Sequence, residues 1–399
     1  MKRLVLLLAL ALALPARAAF VERAAAEAAL PALPASALAA APGPLLSSSL
    51  SAPALLSPSF RAAAAASPDG PAAAKSPAAA PAVFPAAAAG VQESLPRALE
   101  SLFARLDADY PLPAASPAAG VRARVRAQLL SAARELDAPE PELLEAVARE
   151  SDRALARIQR RLDAGEIDPS RTVRLSEADL EPADDAHARI GVYPVAADPF
   201  QWGHLLIALR AVGDLGLDKV VFVLAGDDPR KPSMTPVEQR HPMGREVLAA
   251  FEPFFAYSPI AVGTTLDGET NVFRILALNP GRRVDAWYMV GDDHYRVLDK
   301  KGNPDTLAKL ERNFDSALGH SPTLHALKVA FIKREQPAEE VPTSLEVRFL
   351  DHVGFDASST QVRDGRHTLM PYSAYDFARR NDGLYGIAPA ANGGEKGGD

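Results

Sequence analysis

Residues 188–205, ARIGVYPVAADPFQWGHL, constrain the fold of this chain more than any other stretch. The apolar run 190–193 ends at Pro194, the polar turn Asp198-Pro199-Phe200-Gln201 follows, and Trp202-Gly203-His204 opens a strongly apolar helical segment. The pattern is a strand, a tight loop and a helix start. Such a loop points backbone N–H groups at whatever sits above the strand end. Helix N-termini favour anions, because their first N–H groups are unpaired and the dipole is positive there.

The chain continues in the same way. Runs at 190–193, 219–224, 254–262, 286–290, 327–333 and 345–349 read as strands, and 203–212, 236–251, 270–278, 304–314, 359–363 and 374–380 as helices. The run 219–224, KVVFVL, is apolar throughout, as expected of a strand covered on both faces. The alternation predicts an α/β fold, a Rossmann-like doubly wound parallel sheet with right-handed crossovers. Ligands of such sheets bind beyond the carboxyl ends of the strands, at the switch point.

Upstream the composition differs. Lys2 and Arg3 precede the apolar run 4–14, and Ala16-Arg17-Ala18 fits a small-x-small cleavage site, so residues 1–18 read as a signal peptide. A short uncleaved anchor is one alternative. A misassigned start is another, although the next methionine is Met234. The expected location is exported, periplasmic or secreted, or cytoplasmic if the start is misassigned. Residues 19–90 are mostly alanine, proline and serine and predict a disordered linker. Residues 91–180 carry Leu95, Leu99, Leu102, Val121, Val125, Leu144 and Val147 at helical spacing and predict a small helical subdomain packed beside the main one. Its arginines (Arg122, Arg124, Arg126, Arg157, Arg160, Arg161) read as a solvated face. Residues 185–386 hold the α/β domain, and 387–399 a loose Gly-rich tail.

The 399 residues include no cysteine, which excludes disulfides, thiol catalysis and zinc–thiolate sites. A net charge of −7 makes no case for nucleic-acid binding. The run 4–14 is too short to span a bilayer comfortably, so no transmembrane segment is read. Nothing in the sequence signals an oligomeric state.

Two constellations carry chemistry. Gln201 and His204 share one face of a helix start, and Gly203 between them lets a phosphate approach the backbone. Ala357-Ser358-Ser359-Thr360-Gln361-Val362-Arg363 follows the last strand. A serine there can cap the next helix and leave donors for an anion, while Arg363 presents a planar fork to phosphate oxygens.

These segments resemble the H-x-G-H nucleotidyltransferases, specifically the nicotinate or nicotinamide mononucleotide adenylyltransferases. The family's first motif, roughly G-x-F-G-G-x-F-D-P-x-H-x-G-H, aligns without a gap on residues 191–204, and its second, I-S-S-T-x-I-R, on 357–363. Arg240 and Met243 match an R-x-x-M helix, Gly291-Asp292 a G-x-D turn, and 371–385 the closing helix with its L-Y pair. The resemblance covers about residues 185–386.

The resemblance implies in-line attack of a mononucleotide on the α-phosphorus of ATP, with pyrophosphate leaving and no covalent intermediate. It implies that His204 contacts the α and β phosphates, that Ser359, Thr360 and Arg363 hold the β/γ side, and that Lys231 adds a cation. Gln201, Gly203, Ser358 and Gly291 would complete the nucleotide site. Asp198 would order the loop or serve as a turn residue, and Asp292 would accept from a ribose or base. Trp202 would stack on the pyridine ring or pack in the core. Mg²⁺ would accompany ATP, with no metal site on the protein itself, and the partners would be a nucleotide triphosphate and a mononucleotide.

The chain departs from the family at Gln201, which replaces the first histidine, at Pro194-Val195, which replaces the glycine pair, and at Ala197, which replaces an aromatic. Glutamine donates a hydrogen bond but carries no charge, and Pro194 removes an N–H that could face the nucleotide. Weakened or altered nucleotide binding is expected. A cytidylyltransferase-like enzyme and a catalytically idle exported nucleotide-binding module remain open as alternatives.

Overall fold

The computed structural model describes residues 88–389, except 181–185, 230, 265–267, 299, 303, 317–320, 334–342 and 382. The expected signal peptide, nearly all of the Ala/Pro linker and most of the tail lie outside the described residues.

Three helices come first: α1 (Ala88–Asp109), α2 (Pro117–Glu135) and α3 (Pro141–Asp163). Ser116 caps α2 by accepting from the Ala119 N–H at 3.0 Å, and Pro117 takes a first-turn position where its missing N–H has no helical partner to lose. The α/β region follows as β1 (Ala188–Val195), α4 (Trp202–Leu215), β2 (Lys219–Leu224), α5 (Val237–Ala249), β3 (Phe255–Ser258) and α6 (Gly268–Ala277). It continues as β4 (Val284–Gly291), α7 (Asp293–Arg296), α8 (Asp305–Ser316), β5 (His325–Lys333), β6 (Glu346–Asp351), α9 (Ser359–Arg363) and α10 (Tyr372–Arg380). The third strand stops well short of 262, because Pro259 has no N–H with which to extend the ladder.

All six strands pair in parallel, in the order β3-β2-β1-β4-β5-β6. This is the doubly wound sheet the alternation predicts, and its direction reverses between β1 and β4. One face packs α6 and α8 (Val272, Leu276, Leu310) on Val192, Tyr288 and Phe331. The other face is a continuous core in which Leu99, Leu129 and Leu155 of the first three helices join Leu205 and Leu209 of α4, Met243 of α5 and Phe377 of α10. The N-terminal helices therefore share the core of the sheet.

Their arginines form the expected solvated face only in part: Arg124, Arg157 and Arg160 are exposed, whereas Arg122 is buried and Arg126 and Arg161 are half-buried. Arg122 is 7% exposed and pairs with Asp107 at 3.1 Å and with Asp152, and Arg126 bonds the same two carboxylates. Arg124 donates to the carbonyl oxygens of Ala250, at 2.8 Å, and Glu252. Arg157 pairs with Asp214, and Arg161 donates to the carbonyls of Gly213 and Asp214. An arginine on an amphipathic helix is usually exposed, so sequence alone could not separate surface from seam.

Pro194 sits inside a central strand. β1 pairs with β2 as far as Val195, but with β4 only as far as Val192. Successive residues of a strand turn their N–H and C=O toward opposite neighbours. The Val195 carbonyl accepts from the Ala225 N–H at 2.9 Å on the β2 side, so Pro194 faces β4, where the ladder has already ended. The proline removes no bond, and β1 and β4 separate at the switch point.

Candidate active site

The loop from β1 to α4 is shaped by Gln201. It is 6% exposed and holds the N-cap position of α4, accepting from the Gly203 N–H at 2.5 Å through Oε1. A Cβ on residue 203 would stand 2.5 Å from that same Oε1, so the glycine makes room for the cap. The Gly203 N–H donates to Gln201 and is therefore not a spare donor for phosphate in this structure. Through Nε2, Gln201 donates to the Ala357 carbonyl at 3.2 Å.

His204 follows on the same helical turn, half-buried, with its ring edge-on to Tyr193 and Phe200 at centroid distances of 6.4 and 6.0 Å. Its Nδ1 accepts from the Gln201 N–H at 3.4 Å. An accepting Nδ1 carries no proton, so this contact assigns the neutral ring's proton to Nε2.

The second motif closes onto this loop. Ser358 caps α9, with its Oγ accepting from Gln361 N–H at 3.2 Å and its own N–H donating to Gln361 Oε1 at 3.1 Å. Ser359 Oγ donates to the Pro199 carbonyl at 2.8 Å. Arg363 donates to the Asp198 carbonyl, lies 3.6 Å from its carboxylate, and reaches Thr360 Oγ1 at 3.1 Å. The Ser359 hydroxyl and the Arg363 guanidinium thus join the second motif to the first. The Arg363 side chain is still 41% exposed.

Between the α4 N-terminus and the β6–α9 loop lies a cavity of about 590 Å³, lined by Gln201, His204 and the stretch 352–359. The loop residues His352, Phe355 and Asp356 were missed by motif reasoning; their position beyond the carboxyl end of β6 is the signal that finds them.

Asp198 is 6% exposed and orders the loop as expected. Its Oδ1 accepts from the Thr235 N–H at 3.3 Å and from the Tyr385 hydroxyl at 3.2 Å. Burial raises the pKa of Tyr385, which keeps that hydroxyl a donor. The Asp198–Pro199 peptide is cis, and Ala197 occupies the left-handed region at φ 49°.

Arg240 anchors the loop from below. It is fully buried and donates to four carbonyls: Thr235 at 3.0 Å, Ala196 at 2.9 Å, Ala225 at 2.7 Å and Gly226 at 3.2 Å. Burial lowers its pKa, opposed by the nearby carboxylates of Asp198 and Asp227.

Of the expected site residues, Gln201, His204, Ser358 and Ser359 line the cavity, Asp198, Gly203, Thr360 and Arg363 adjoin these in sequence or through bonds, and the rest lie apart from it. Trp202 has no exposed surface and packs in the core, so the alternative of ring stacking is corrected: a 0% exposed indole offers no face to a bound pyridine. Lys231 is exposed on the β2–α5 loop, outside the cavity lining. Gly291 and Asp292 end β4 beside β1, with Asp292 2% exposed and its N–H on the Ile332 carbonyl at 3.0 Å.

No family model matches the chain. A probable nicotinate-nucleotide adenylyltransferase of Thermus thermophilus is 31% identical over 179 residues, which are 44% of this chain and 84% of that protein. The chain belongs to the nicotinate-nucleotide adenylyltransferase family. A relative of the same name from Roseiflexus sp. is 39% identical over 77 residues, 19% of this chain and 38% of that protein. Solved structures of Plasmodium falciparum nicotinic acid mononucleotide adenylyltransferase, complexed with APC and with NaAD, align with TM-scores of 0.36 and 0.37. Those alignments are 11% and 12% identical and cover 51% of this chain and 99% of the solved chains. Within the family, the two motifs meet here through side chains of both.

Proposed function

We propose that the chain transfers the adenylyl group of ATP to a pyridine mononucleotide, nicotinate or nicotinamide mononucleotide, and releases pyrophosphate. The observation that carries this reading is the meeting of the two family motifs at one cavity, beyond the carboxyl ends of the strands, in a chain of this family. ATP occupies that cavity with its phosphates at the α4 N-terminus. His204 donates from Nε2 to an α- or β-phosphoryl oxygen, where charge grows as the leaving group departs. Arg363, with Ser359 and Thr360, receives the β/γ end once its contacts to Asp198 give way to phosphate oxygens, and Lys231 adds a cation only if the β2–α5 loop brings it in. The mononucleotide enters beside Asp292 and the parted ends of β1 and β4. The protein's contribution is position and charge, with no covalent step.

The residues at the cavity do not fit a metal site of their own. Among the described residues no group of three or more His, Asp or Glu is arranged to hold a metal ion, and the Asp198 carboxylate is already taken up by Thr235, Tyr385 and Arg363. Mg²⁺ enters this proposal only as part of the ATP substrate.

Gln201 sets the rate below what the family motif would allow, because its amide carries no charge and is already bonded to the Gly203 N–H and the Ala357 carbonyl. Turnover of Gln201→His tests this: a rise supports it, and an unchanged or lower rate shows the glutamine to be adapted. The overall reading is tested by dinucleotide formation from ATP with nicotinate mononucleotide and with nicotinamide mononucleotide in parallel. ATP binding without product would favour the idle module, and product from CTP alone the cytidylyltransferase. Export by residues 1–18 belongs to the same proposal and is tested by mass spectrometry of the mature N-terminus. Among the described residues, no helix is long and apolar enough to cross a membrane.

A further inference from the structure

The three N-terminal helices contribute nothing to either motif, yet they hold a wall of the cavity. Arg210 of α4 donates to the carbonyl oxygens of Asp351, at 3.0 Å, and His352, at 2.7 Å, where β6 runs into the lining stretch 352–359. Its second terminal nitrogen pairs with the Glu150 carboxylate of α3. The Glu150 and Arg210 side chains are 14% and 20% exposed, so the pair is largely withdrawn from water, where a charge-assisted bond is stronger.

The loop needs this support. β6 lies at the sheet edge and pairs only with β5 among the described strands. Beyond α9 the same helix grips again: Glu140, just before α3, pairs with Arg366 through both carboxylate oxygens, at 2.9 and 2.7 Å, and its N–H donates to Thr368 Oγ1 at 3.2 Å. The segment that carries the cavity lining and the second motif is therefore pinned to α3 on both sides.

We infer that α3 is a working part of the nucleotide site, with Glu150, acting through Arg210, as a positioning residue for the loop 352–358. The inference rests on the proposed reading of the cavity as the ATP site. A fixed guanidinium orients both carbonyls, and removing the carboxylate that fixes it lets the loop open.

Glu150→Gln in the full chain is the test, because it keeps the shape and removes the charge. Hydrogen–deuterium exchange at 352–358 in the ligand-free protein should quicken, and KM for ATP should rise about five-fold with kcat little changed. Arg157→Gln breaks the pair with Asp214 in the same interface but away from the loop, and should leave both readouts at wild type. Arg210→Lys, which keeps the charge but loses the fork to two carbonyls, should reproduce the Glu150→Gln change and serves if that variant does not fold. Wild-type exchange at 352–358 in Glu150→Gln or Arg210→Lys overturns the inference, as does an equal effect of Arg157→Gln. The exchange readout needs no substrate. Absence of dinucleotide product from the wild-type chain marks failure of the functional reading instead.

Discussion

Gln201 Nε2 donates to the Ala357 carbonyl oxygen at 3.2 Å, and this bond joins the first family motif to the second. Its other amide atom caps α4, so one side chain sets both the helix start and the closure of the cavity.

Gln201→Glu keeps an acceptor for the Gly203 N–H, loses the donor to Ala357, and sets a negative charge against the triphosphate. ATP affinity by calorimetry should fall about ten-fold or more. Gln201→Ala removes the cap as well and should cost about 1 kcal/mol in a denaturant titration.

His204→Ala should lower turnover by ~10²-fold or more, as loss of a transition-state donor does. Pyrophosphate release measures it. The melting temperature should fall modestly, since the ring accepts from the Gln201 N–H at the start of α4 and packs edge-on against Tyr193 and Phe200.

Arg240→Met leaves the carbonyls of Ala196, Ala225, Gly226 and Thr235 without their shared donor. Unfolding free energy should drop by about 3 kcal/mol or more in urea. Arg240→Lys should recover only part of this, because an ammonium cannot span four carbonyls as a planar fork does.

His241 gives the fold a pH dependence. Its Nε2 donates to the Ala225 carbonyl at 3.0 Å and its Nδ1 accepts from the Tyr257 hydroxyl at 2.7 Å, the pairing of a neutral ring. Burial holds its pKa below the ordinary 6.5, with Arg240 and Arg245 lowering it further and Asp227 opposing them. The unfolded chain therefore binds the proton first. Stability should be unaffected by this group above about pH 6.5 and should fall as pH drops below it. Melting temperatures between pH 8 and pH 5 should show a shallower fall in His241→Gln.

The sheet was legible because its central strands are largely apolar; KVVFVL is β2 to the residue, whereas the edge strand β6 reads EVRFLD. The candidate site was legible in the sequence through His204 and Ser358–Ser359, which line one cavity, and through Asp198 and Arg363, which bond each other beside it. What sequence could not show was direction. Arg122 and Arg126 look like surface charges until their partners, Asp107 and Asp152, arrive from neighbouring helices. Trp202 looks like a stacking platform until α4 is docked and turns it inward. Arg210 and Glu150 belong to no motif, and only the packing of α3 on α4 makes them neighbours of the cavity.

Adenylyl transfer at the cavity between His204 and Ser358 is read most directly by following the α-phosphate. The full chain is incubated with ATP labelled at that phosphorus, Mg²⁺ and nicotinate mononucleotide. Label should appear in nicotinate adenine dinucleotide with one pyrophosphate released per product, and both should be lost in His204→Ala. Bound ATP with no labelled dinucleotide, or equal product from His204→Ala, would contradict this reading.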